Sequence, residues 1–152
     1  MLTAYENLLD QYNQVPIREV ELAHGFTGLY YDGRILIHNK LTEVEKHCVL
    51  SEELGHHFTS AGEIIRQNTI VNIKQEKRAR RWGYSKIISL AEIVHAYHIG
   101  CQNRYEIAHY LNVTEEFLQE TLDWYKQKYG TEVSFSNYFI NFEPLLIKKL
   151  KY

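Results

Sequence analysis

Two signals in succession between Gly28 and Phe58 constrain this chain most. GLYY and RILIHN are short runs of strand-forming residues joined through Asp32-Gly33. Asp-Gly supplies the positive φ that a tight primed hairpin turn needs. A long helical pattern follows almost at once. Thr42 offers a capping side chain, and Glu43 and Glu45 place acids in the first turn. LTEVEKHCVLSEELGHHF then carries Leu50, Leu54 and Phe58 on one face.

The rest of the chain extends this α+β pattern. Ala4, Tyr5, Leu8, Leu9 and Tyr12 have the spacing of an amphipathic helix over 3–13. VPIREVEL reads as a strand that completes a small antiparallel sheet with the hairpin. After a loop, TSAGEIIRQNT, a second long helix is predicted from about Asn72 to Ile88. Helical patterning continues to Gly130, a C-cap. The tail VSFSNYFINF alternates as a strand and is broken at Glu143-Pro144. The expected organisation is a core over 1–90, a helical extension packed on it over 91–130, and a tail over 131–152, with no internal repeat.

Composition narrows the functional classes. A formal net charge of -2 over 152 residues argues against a protein whose purpose is to coat nucleic acid or a membrane. Cys48 and Cys101 read as reduced core thiols, with neither a disulfide framework nor a C-x-x-C metal pair. No apolar run is long enough for a transmembrane helix. The N-terminal MLTAYENLLDQYN carries acids where a secretory signal needs basic residues and an apolar block. A cytoplasmic location and no membrane partner are expected.

The stretch that carries chemistry is SEELGHHF. Glu52 and His56 lie four apart, on one helix face, the spacing with which zinc-peptidase helices present two ligands. Glu53 is turned about 100° from Glu52 around the axis, where an H-E-x-x-H helix holds its general base. A third ligand is needed, and Glu76 in KQEKRARRW is the best candidate, on the next predicted helix. Ala79 and Gly83 share the Glu76 face, and Gly55 adjoins His56, so the two helices can approach closely. Glu53 and His57 are also four apart. They are an alternative ligand pair, or else His57 orients Glu53 by a hydrogen bond.

Three ordered segments, GLYYDGRILIHNKLT, EKHCVLSEELGHHFT and KQEKRARRWGYSKII, resemble the phage-type ImmA/IrrE metallopeptidases over about residues 15–130. Glu53, Gly55 and His56 match the family's H-E-x-G-H helix, and Glu76, Ala79 and Trp82 match its second pattern. The resemblance implies a small zincin-like fold and cleavage of a partner protein, typically a helix-turn-helix repressor encoded beside the peptidase. It implies Glu53 as general base and His56 and Glu76 as metal ligands. The departure is Glu52 in place of the first histidine. Two carboxylates neutralise the formal charge of a divalent ion and weaken its pull on water. An oxygen-rich donor set also suits manganese or iron as well as zinc.

Residues 103–125 carry the apolar skeleton of a helix-turn-helix, with Thr114 capping its second helix. Glu115, Glu116, Glu120 and Asp123 on that helix would be repelled by phosphates. A helical packing unit or repressor-docking surface is therefore expected, and direct DNA binding is not. Lys74, Lys77, Arg78, Arg80 and Arg81 read mainly as a solvated helix face, with charge compensation of nearby carboxylates or contact with an acidic partner the alternatives. His95 and His98, one turn apart, read as satisfied helix histidines. Two functional readings follow. One is a metal-dependent endopeptidase acting on a regulator. The other is a non-catalytic antirepressor with a vestigial metal site.

Overall fold

The computed structural model describes residues 1–60 and 69–150. Its class is α+β, and the described residues form two three-stranded sheets, one over residues 17–38 and one over residues 132–149. Two compact units divide it, Met1–Gly83 and Tyr84–Tyr152.

In the first unit, α1 (Ala4–Gln11) starts at a capping box. The Glu6 amide donates to the Thr3 hydroxyl, and the Thr3 amide donates to the Glu6 carboxylate. Two donors that a helix start leaves unpaired are thereby satisfied. The strands β1 (Ile17–Val20), β2 (Gly28–Tyr31) and β3 (Arg34–His38) form a sheet in the order β1-β3-β2. Asp32 and Gly33 have φ of 48° and 72°, the paired positive values of a type I′ turn. The β2–β3 hairpin is antiparallel as expected, but β1 runs parallel to β3. The reason is burial. Ile35 and Ile37 on β3 are fully buried, so β3 takes the centre. The segment 21–27 carries the chain past it to the opposite edge.

The second helix, α2 (Glu43–Thr59), is capped by a Thr42/Glu45 box and packs on β2 and β3. Leu50, Ser51 and Leu54 are fully buried along it. The long helix α3 (Thr69–Ile87) begins somewhat ahead of the predicted start. Most of the predicted intervening loop, 61–68, lies outside the described residues. The two helices touch at backbone distance. A Cβ on Gly55 would sit 2.7 Å from the Ala79 carbonyl carbon and 2.9 Å from its Cα, with the carbonyl oxygen nearer still. A Cβ on Gly83 would lie 2.9 Å from Ser51 Oγ.

The second unit begins in the last turn of α3 and continues through α4 (Leu90–His98), α5 (Arg104–Leu111) and α6 (Glu115–Tyr129). Ile107, Ala108, Leu111, Val113, Phe117, Leu118 and Leu122, the helix-turn-helix-like skeleton, are all buried. Asn112 turns the chain between α5 and α6 in the left-handed region, at φ 55°. The Tyr125 hydroxyl donates to the Ile88 carbonyl at 2.6 Å. The tail departs from its expected single strand. It forms a three-stranded antiparallel meander, β4 (Glu132–Phe135), β5 (Tyr138–Phe142) and β6 (Leu145–Lys149). Ser136, at φ 55°, makes the first turn, and Glu143-Pro144 makes the second instead of ending the sheet. Ile140 and Phe142 are buried, and α6 packs on β4 and β5. Among the described residues, no helix is long and apolar enough to cross a membrane.

Candidate metal centre

Because α2 is regular through SEELGHHF, Glu52 and His56 project together one turn apart. The close approach at Gly55 and Ala79 brings Glu76 of α3 to the same point. One ligand atom from each of Glu52, His56 and Glu76 lies within 4.8 Å of the others. His56 Nε2 and Glu76 Oε1 are 3.2 Å apart. Ligands at zinc distances of ~2.0–2.1 Å in a tetrahedron are separated by ~3.3 Å, so this edge already has the right length. Two carboxylate oxygens and an imidazole nitrogen, with no fourth side chain in the cluster among the described residues, are a donor set suited to a divalent cation with an open position.

The electrostatics show groups gathered against their own charge. Burial pushes the Glu52 carboxyl up; Arg80 opposes this, and the nearby Glu76 carboxylate reinforces it. Glu76 is lowered, first by its hydrogen bond to His56, and also by a hydrogen bond from the Glu52 carboxyl. Burial pulls the His56 imidazole down, but the Glu76 hydrogen bond and the fields of Glu76, Glu53 and Glu52 together raise it. Glu52, His56 and Glu76 thus lie close enough for each to shift the others, a concentration of charge that a divalent cation would suit.

Glu53 is buried and pointed toward β2. Burial pushes its carboxyl up to about 7, with His56 opposing and the other two carboxylates adding. A Cβ on Gly28 would meet Glu53 Oε1 at 3.0 Å and Val49 Cγ1 at 2.6 Å, so only glycine leaves the carboxylate its place. Glu52, Glu53, His56 and Glu76 line a cleft of about 560 Å³, with Tyr30 and Arg80 on its walls.

No family model, curated protein or solved structure matches this chain.

His57 stands outside the cluster. Its Nδ1 is 3.1 Å from the Tyr30 hydroxyl, and its ring lies edge-on to Tyr30 and Phe58. Phe58 stacks on Trp82 at 5.3 Å, tying the end of α2 to α3. One reading of the basic run needs correction. Arg80 is not merely a solvated charge, because its Nε lies 3.5 Å from Glu52 Oε1. It sits four residues after Glu76 and so shares that residue's helix face. That spacing was visible in the sequence; its target was not. Tyr30 and Gly28 also escaped notice, since nothing local to GLYY reveals that β2 borders α2. Neither Cys48 nor Cys101 is in a disulfide, and His98 accepts or donates at Tyr138.

Proposed function

We propose that the Met1–Gly83 unit is a small zincin-like catalytic unit and the protein a metal-dependent endopeptidase. Its expected substrate is a partner regulator, a helix-turn-helix repressor of a phage or mobile element, cut in the cytoplasm. The observation that carries this reading is the convergence of Glu52, His56 and Glu76 within 4.8 Å, beside a buried Glu53 raised to about 7.

A zinc ion held there, or manganese or iron in its place, would polarise a peptide carbonyl and acidify water. The chain's own residues supply the rest. Glu52, His56 and Glu76 fix the ion's position from two helices locked by the Gly55–Ala79 contact. Glu53, buried beside the three candidate ligands, is placed as a general base that would take a proton from the attacking water and return it to the leaving amine. Residues 25–30 form one wall of the cleft in which the substrate would lie.

The carboxylate-rich donor set favours a second reading, a non-catalytic antirepressor that binds the same repressor through a vestigial site. Incubating the metal-loaded protein with the repressor encoded beside it separates the two. The peptidase reading expects a discrete cleavage product that Glu53→Gln abolishes. Repressor released from its operator uncut would establish the antirepressor instead.

A further inference from the structure

The donor set raises a problem of charge. Two carboxylates and a neutral imidazole cancel the formal charge of a divalent ion. Hydrolytic zinc centres built from three histidines, or two histidines and a glutamate, keep a net positive charge. A centre without that charge stabilises developing negative charge poorly. Arg80 lies where it can restore it. Its guanidinium is 3.5 Å from Glu52 Oε1 and lines the cleft that the ligands line. Arginine stays protonated at any working pH.

We infer that Arg80 is a positioning residue of the metal centre: acting through Glu52, it returns the positive charge that the second carboxylate removes. This rests on the metal-site reading above. The place of Arg80 one turn past Glu76 makes it part of the helix that delivers the third ligand.

Three roles for Arg80 differ in the sign of a binding measurement. A group that supplies charge repels the ion and competes for Glu52, so its loss tightens metal binding and weakens anion binding at the metal. A group that only holds the Glu52 rotamer would, on removal, loosen the metal. A solvated surface cation would change neither. The test is zinc affinity by chelator competition, and acetohydroxamate affinity of the zinc-loaded protein, for wild type, Arg80→Gln, Arg80→Lys and the double variant Glu52→His/Arg80→Gln. The charge role expects Arg80→Gln to bind zinc about tenfold tighter and acetohydroxamate about tenfold weaker. Arg80→Lys should stay close to wild type, since it keeps the charge. The double variant, which loses one charge of each sign, should recover acetohydroxamate affinity. Weaker zinc binding in Arg80→Gln, or no change in either affinity, overturns the inference while leaving the metal centre standing. Wild-type protein that binds no zinc overturns the centre and the inference together.

Discussion

Replacing Gly55 with alanine tests the geometry that assembles the candidate site. The added Cβ would lie 2.7 Å from the Ala79 carbonyl carbon and 2.9 Å from Ala79 Cα. Ordinary contacts between such atoms need ~3.5 Å or more, and the atoms it meets are backbone. The carbonyl oxygen is nearer still and no rotamer change relieves the clash, so α2 and α3 must separate by roughly 1 Å at their crossing. Metal–ligand distances tolerate about 0.2 Å. His56 adjoins Gly55 and Glu76 lies one turn before Ala79, so the displacement passes directly into the ligand set. Zinc affinity should fall about 10- to 100-fold, the range seen when supporting contacts of a metal site are lost. Overpacking costs about 1–3 kcal/mol, against about 1 kcal/mol gained from alanine's helix propensity. The metal-free variant should therefore fall between no net change and a destabilisation of about 2 kcal/mol. Chelator competition and urea unfolding, with and without zinc, measure both quantities. A companion Gly83→Ala should cost less, because the nearest atom it meets is the Ser51 hydroxyl. Wild-type zinc affinity in Gly55→Ala, with the stability gain expected of an unhindered helix glycine, would refute the crossing as drawn.

Two further outcomes concern pH. In metal-free protein the Glu53 carboxyl is raised to about 7 from an ordinary value of 4.5. The folded state thus keeps a proton between those values that the unfolded state has lost. Stability is fully present below the ordinary value and falls as pH rises, levelling above about 7, by at most about 3 kcal/mol. Metal-free Glu53→Gln should lose that slope and exceed wild type at pH 8 in chemical denaturation; parallel curves for the two would contradict the burial argument. Glu19 behaves oppositely. The Lys46 ammonium, 2.7 Å from Glu19 Oε1, holds its carboxyl low against the cost of burial, with the Tyr5 hydroxyl also helping. The stability it contributes is present above the ordinary carboxylate value and is lost as pH falls through the depressed one. Glu19→Gln should flatten the acid limb of the stability profile, and an unchanged limb would show the ion pair to be without net effect.

Local chemistry carried much of this architecture in the sequence. Asp32-Gly33, the Thr3 and Thr42 caps and the four-residue spacing of Glu52 and His56 are decided by neighbours along the chain. Gly55, Ala79 and Gly83 were visible as small residues on facing sides, and the structure places their backbones in contact. What the sequence hid depends on distant partners. The parallel pairing of β1 with β3 follows from which strand is most buried, which no local pattern reports. The tail's second turn was read as a terminus, because proline signals a break without saying whether pairing resumes. Arg80 looked like one more charge in a basic run, and only the packing of α3 on α2 gives it Glu52 as a partner.

Metal content is the most direct test of the central claim. Protein produced in metal-replete medium and purified without chelator should carry close to one divalent ion per chain by elemental analysis. His56→Ala and Glu76→Ala, shown by circular dichroism to be folded, should have lost it. Wild-type protein free of metal, or both variants retaining a full equivalent, would contradict the account.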